Sequence, residues 1–213
     1  MSVAAKICGL STAEGVAAAA RGGARFVGFV FYPPSRRNVT PKLAAALCAV
    51  APAGVSRVGL FVDADDATLA AVFEAAPLDL LQFHGRESPE RVAAVKRRFG
   101  KPVMKAIPVA AEADLAAAER YFGAADRLLF DAKPPKDAAV PGGNGLVFDW
   151  QLLGGRRWNL PWMLSGGLTA ENLGQAVGIT HAAEVDVSSG VERAPGVKDT
   201  DKIAAFLARA RSL

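Results

Sequence analysis

About eight times along its length the chain passes from a short apolar run into a longer, often alanine-rich segment whose apolar residues recur at helical spacing. This alternation constrains the fold more than any single motif. Strands separated by helices pair in parallel, and the crossover helices must then cover the sheet. The strand runs are V-A-A-K-I-C-G-L, A-R-F-V-G-F-V-F, S-R-V-G-L-F-V-D, L-D-L-L-Q-F-H-G, K-P-V-M-K-A-I, the run from Arg127 to Phe130, P-W-M-L-S-G-G and A-A-E-V-D-V-S-S-G.

Punctuation between the runs predicts the helices. Ser11 and Thr12 offer N-caps to a helix over 12–21 that Gly22 and Gly23 stop, and Thr40 with Pro41 opens the next, closed by Pro52. Further helices are expected over 66–76, 88–99, 111–121, a short one over 149–153, then 169–177 and 199–211. About eight strands and eight helices close more readily into a small (β/α)8 TIM barrel, one domain over residues 1–213, than into an open sheet. The competing doubly wound sheet would want a dinucleotide fingerprint. The glycine pattern G-G-N-G at 142–145 does not match G-x-G-x-x-G and lacks an acidic partner at the usual distance.

A chain of 213 residues with 51% hydrophobic content can bury one full core. No apolar run reaches the roughly 18 to 20 residues that span a bilayer, and the start M-S-V-A-A-K-I-C-G lacks a secretory signal, so a soluble cytoplasmic protein is expected. Cys8 and Cys48 have no C-x-x-C spacing, which argues against a disulfide framework or a zinc site. The net charge of +4 is scattered, with few aromatics among the basic residues. That excludes a nucleic-acid binder and suits a small anionic substrate. No extended apolar seam stands out, and a monomer is expected.

In barrels, chemistry gathers at the carboxyl ends of the strands. The candidates falling there are Cys8, Arg36 and Arg37, Asp63, His84, Lys105, Asp131, Ser165 to Gly167, and Asp186 to Gly190. Asp131 ends the sixth run and leads towards Gly142, Gly143 and Gly145, pairing a carboxyl group with a flexible backbone that can approach an anion. Together with S-G-G at 165–167 and S-S-G at 188–190, G-G-N-G would set backbone N–H groups side by side as a phosphate cradle. Cys8 shares strand parity with Lys6, so both should point into the barrel, where the ammonium group would favour thiolate. Cys48, inside a helix, reads as an inert buried thiol. One of Arg36 and Arg37 could grip a carboxylate bidentately while the other stays solvated. His84 could be a base but better suits a hydrogen-bonded positioning role among the substrate-binding residues, Lys105 and Asp63 suit inner-layer ion pairs or hydrogen bonds, and Asp186 is inward by parity.

Read together, the segments K-I-C-G-L (6–10), G-F-V-F-Y-P-P-S-R-R (28–37), V-G-L-F-V-D (58–63), L-Q-F-H-G (81–85), L-F-D-A-K (129–133), G-G-N-G (142–145), L-S-G-G-L (164–168) and V-D-V-S-S-G-V-E (185–192) resemble the phosphoribosylanthranilate isomerases of tryptophan biosynthesis. Phe83 stands where that family often has Leu, and Asn144 where Ser or Thr is usual. The resemblance implies an Amadori rearrangement of a phosphoribosyl aminoaldose with no metal, nucleotide or redox cofactor. It makes Asp131 the general acid and Cys8 the general base. Arg37, with Arg36 as second choice, would bind the anthranilate carboxylate. Gly143, Gly145, Gly166, Gly167, Ser189 and Gly190 would hold the phosphate, and Asp186 a ribose hydroxyl. Two alternatives are a related histidine-pathway isomerase, which uses paired aspartates at the ends of the first and fifth strands where this chain has Cys8 and Lys105, and a phosphate-binding barrel without catalysis. The presence of both Cys8 and Asp131 counts against the latter.

Overall fold

The structure is a computed structural model that describes residues 2–135, 138 and 140–213. Eight parallel strands, β1 (Ala4–Cys8), β2 (Phe26–Phe31), β3 (Ser56–Phe61), β4 (Leu80–Phe83), β5 (Val103–Val109), β6 (Arg127–Ala132), β7 (Trp162–Leu164) and β8 (Glu184–Val187), form a closed barrel in sequence order. The seam closes where Ala4 to Ile7 of β1 pair in register with Glu184 to Val187 of β8. Helices α1 (Ala13–Arg21), α2 (Pro41–Val50), α3 (Asp66–Ala75), α4 (Pro89–Phe99), α5 (Glu112–Glu119), α6 (Leu173–Thr180) and α7 (Thr200–Arg211) cover it. None of the described helices is long and apolar enough to cross a membrane.

The helices begin where side chains can cap them. The hydroxyls of Thr12, Thr40 and Ser88 accept from the N–H groups of Gly15, Leu43 and Arg91, each three residues on, and Pro41 and Pro89 occupy the first helical position. Gly100 ends α4 with φ of 62°. Three stretches differ from expectation. The weak segment near 149–153 is a single 3-10 turn, Trp150–Leu153, so among the described residues β6 and β7 are joined without a full helix. The helix expected over 169–177 starts late, at Leu173, because Asn172 folds its side chain back to accept from the N–H of Thr169 and makes a turn first. Past β8 the chain adds a 3-10 turn (Ser189–Val191) and a small antiparallel hairpin, β9 (Glu192–Ala194) with β10 (Val197–Lys198), which the strand pattern did not reveal.

Alternation along the strands sorts two cores. Phe26, Val58, Leu80, Met104, Ala106, Leu129 and Met163 fill the barrel, and residues of the other parity, such as Ile7, Val27, Phe83 and Phe130, pack under the helices. Lys105 belongs to the outer set. It is neither at a strand end nor in the inner layer, since β5 runs on to Val109. Its ammonium group is buried against Glu87 at 3.0 Å and the carbonyl of Gly85 at 2.7 Å. Glu87 also accepts from the N–H groups of Asp63 at 2.8 Å and Gly85 at 3.0 Å, tying together the loops that follow β3 and β4. Asp63 likewise serves the loop, accepting from the N–H of Arg86 at 2.6 Å.

Candidate active site

A cavity opens at the carboxyl ends of the strands, and Cys8, Arg37, His84, Asp131, Asp186 and the glycine-rich segments all line it. Cys8, the last residue of β1, is 4% exposed and turned inward, as its parity required. Below it Lys6 is wholly buried, its ammonium group 2.8 Å from Asp186 Oδ1, while Ser165 donates to Asp186 Oδ2 at 3.2 Å. Gly28 makes room for this packing. A Cβ on it would stand 3.0 Å from Cys8 Sγ and 3.1 Å from Lys6 Nζ, so thiol and ammonium crowd the same point.

The charge on Lys6 does not win at Cys8. Burial pushes the thiol up and outweighs the pull of the ammonium group towards thiolate, and Asp186 opposes that pull further. Lys6 does pull Cys8 towards thiolate, as expected, but burial prevails and the pKa of the thiol ends above its ordinary value. Lys6 itself is pushed upward. Burial alone would lower it, but the carboxylate of Asp186 prevails.

Asp131 lies on β6 at the same rim and is 6% exposed. Its Oδ1 accepts from the N–H of Ala132 at 2.9 Å, and its Oδ2 lies 3.1 Å from His84 Nε2. His84 in turn meets the amide of Gln82 through Nδ1 at 3.0 Å. Acid and thiol therefore face one space from different strands, each fixed by its neighbours.

Opposite them the glycines converge. The N–H groups of Gly143, Gly145, Gly166, Gly167, Ser189 and Gly190 donate to no described residue, and all six residues line the cavity. Gly190 can carry no side chain, because a Cβ there would collide with the carbonyl oxygen of Leu168. An arc of unpaired donors suits the oxygens of a phosphate. Among the described residues no cluster of three or more His, Cys, Asp or Glu is placed to hold a metal ion.

The two arginines part company. Arg36 is exposed and outside the cavity lining, because it and Arg37 take opposite sides of the turn in which Ser35 Oγ accepts from the N–H of Arg37. Its alternative role as a carboxylate binder is not supported. Arg37 is buried in the wall, and its fork is already engaged: Nε and Nη2 hold Glu192 at 2.7 and 2.9 Å, and Nη2 also reaches the carbonyl of Gly143 at 3.1 Å. Only Nη1 makes no hydrogen bond to a described residue. Lys198 completes the group at 2.9 Å from Glu192 Oε1 and 2.8 Å from the carbonyl of Ser188. Burial would raise the Glu192 pKa, yet the bonds from Arg37 and Lys198 hold it down at about 2.

Glu192, Lys198 and Gln82 are site residues that the sequence reasoning did not single out. Gln82 had a legible signal, being polar at the inward parity of His84. Glu192 had a weaker one at the end of V-D-V-S-S-G-V-E, and Lys198 had none. Cys48 is buried in α2, as expected of an inert thiol.

Residues 5–209 match the family described as N-(5′-phosphoribosyl)anthranilate (PRA) isomerase. A protein of that name from Paramagnetospirillum magneticum is 59% identical over 211 residues, covering 99% of this chain and 98% of its own. The phosphoribosyl anthranilate isomerase structure from Thermotoga maritima superposes with a TM-score of 0.88 at 36% identity, covering 99% of this chain and all of that one. A further isomerase structure, in complex with reduced 1-(o-carboxyphenylamino)-1-deoxyribulose 5-phosphate, has a TM-score of 0.84 at 34% identity and covers 99% of this chain and 100% of that one. A thiol and a carboxyl group sharing a cavity with glycine-rich backbone donors, on a barrel matched from end to end, leave one conclusion: the chain belongs to the N-(5′-phosphoribosyl)anthranilate isomerase family.

Proposed function

We propose that this chain catalyses the Amadori rearrangement of N-(5-phosphoribosyl)anthranilate to 1-(2-carboxyphenylamino)-1-deoxyribulose 5-phosphate in tryptophan biosynthesis. The observation that carries the reading is the common cavity of Cys8 and Asp131, with the unpaired N–H arc at its other side. Asp131 gives a proton to the furanose ring oxygen, the C1–O bond breaks, and the anilino nitrogen's lone pair forms an iminium. The cationic nitrogen acidifies the C2 proton, which Cys8 removes as thiolate. The resulting enolamine tautomerises to the ketone, gaining a proton at C1 and losing one from the C2 oxygen.

The geometry adds two conditions. Since burial favours the Cys8 thiol in the free protein, the base forms only when the thiol gives its proton up to solvent at the cavity mouth, and that loss needs help. Lys6 supplies a fixed positive charge, and the iminium adds a second one only once the ring has opened. That order protects the base until it is needed. Arg37 would address the anthranilate carboxylate through Nη1 alone, because Glu192 occupies the rest of the fork. Asp186 keeps lone pairs for a ribose hydroxyl while holding Lys6. The enzyme is proposed to work as a monomer in the cytoplasm.

Against the histidine-pathway alternative, β1 presents a thiol and the acid sits on β6 while Lys105 faces outward, so paired aspartates on the first and fifth strands have no counterpart here. The deciding assay follows the fluorescence of phosphoribosylanthranilate on addition of purified protein. Rapid decay supports the isomerase, and an unchanged signal with consumption of the histidine-pathway aminoaldose instead would overturn it.

A further inference from the structure

Gln82 sits in the wrong place for a structural residue. It is on the barrel's inward parity, wholly buried, and in register with Leu60 of β3 and Met104 of β5. Both register partners are apolar, and Leu80, two residues earlier on the same strand, joins the inner cluster. Its amide Oε1 is buried with no hydrogen-bond partner among the described residues. A methionine would fill the same layer without that orphan, so local stability does not explain the glutamine.

Among the described residues the Gln82 side chain makes one hydrogen bond, from its amide nitrogen to His84 Nδ1 at 3.0 Å. An N–H can be accepted only by a bare ring nitrogen. A neutral imidazole must then carry its proton on Nε2. That nitrogen lies 3.1 Å from Asp131 Oδ2 and so points a donor at the acid. With Oδ1 already held by the N–H of Ala132, both oxygens of Asp131 are located. Gly142 closes the arrangement from above, where a Cβ would stand 2.6 Å from His84 Nε2.

We propose that Gln82 is a positioning residue for the rearrangement: it sets the tautomer of His84, and through that ring fixes the orientation of the Asp131 carboxyl group towards the sugar. The kinetic part rests on the isomerase reading above, and the tautomer part stands without it. Three proteins test it: wild type, Gln82→Met and Gln82→Glu, the last presenting an acceptor where the amide presents a donor. All are made in a His181→Asn background, which leaves His84 as the single histidine and keeps a residue tolerant of the left-handed conformation at the end of α6.

Imidazole 15N shifts without substrate are expected to show the Nε2–H tautomer in wild type, a mixture in Gln82→Met, and a proton on Nδ1 in Gln82→Glu. Turnover of phosphoribosylanthranilate is expected to fall in Gln82→Met by about 10- to 100-fold in kcat with KM within about threefold, while its melting temperature holds or rises. A residue needed only for packing would lower the melting temperature and spare kcat. An Nδ1–H tautomer in wild type, or Gln82→Met with kcat within twofold of wild type, overturns the proposal. If wild type itself leaves the substrate unconsumed, the isomerase reading falls and the tautomer measurement alone decides the role of Gln82.

Discussion

At the scale of single residues, the site is governed by which of two opposing effects prevails at each buried group. At Cys8 desolvation outweighs a neighbouring ammonium, whereas at Glu192 hydrogen-bonded cations outweigh desolvation. General acids and bases each contribute about 10²- to 10⁴-fold. Cys8→Ala and Asp131→Asn are each expected to lower kcat by at least that much while product affinity, measured by titration, changes little. Wild-type-like turnover in either variant would remove that residue from the chemistry. Glu192 contributes to the pH dependence of stability. Its carboxyl is depressed to about 2 in the folded protein, so its contribution to stability is present above the ordinary carboxylate range and is lost as pH falls towards 2. Allowing for screening near the cavity mouth, about 1–2 kcal/mol is at stake. Urea unfolding of Glu192→Gln should show a smaller stability difference between pH 7 and pH 3 than wild type, and equal differences would rule out the Arg37–Glu192 pair as its source.

At the scale of elements, short turns hold the reacting groups and the phosphate donors in place. The 3-10 turn after β8 supplies the N–H groups of Ser189 and Gly190, and it fits only because Gly190 lies against the carbonyl of Leu168. Gly190→Ala must displace one of the two segments. We expect at least tenfold weaker inhibition by inorganic phosphate and a stability loss of about 1–3 kcal/mol, checked by competition kinetics and thermal melting. Phosphate inhibition equal to wild type would take this turn out of the cradle. The turn was legible as S-S-G, and so were the helices with strong caps, such as α2 and α4. The late start of α6 was not, because it depends on a side chain of Asn172 bonding locally rather than on apolar spacing. The β9–β10 hairpin was hidden for a related reason: it is two and three residues a side, too short for alternation to register.

At the scale of the molecule, a closed barrel with net charge +4 presents its mouth to an anionic substrate. Attraction of that kind is screened by salt. kcat/KM for phosphoribosylanthranilate should fall several-fold between low and about 0.5 M ionic strength while kcat changes less, and a flat kcat/KM would show that steering contributes nothing. By itself, the order of apolar runs, glycines and polar strand ends determined that the chain closes into a parallel barrel and that Cys8, Asp131 and three glycine-rich turns share one rim, because period and position along a strand are local properties. Only the tertiary structure decided that Arg37 spends most of its fork on Glu192, that Lys105 turns outward to Glu87, that burial overrules Lys6 at Cys8, and that Gln82 reaches Asp131 through His84. Each of these is a contact between residues far apart in the chain or a balance of desolvation against charge, and neither is written in the spacing of residues along one strand.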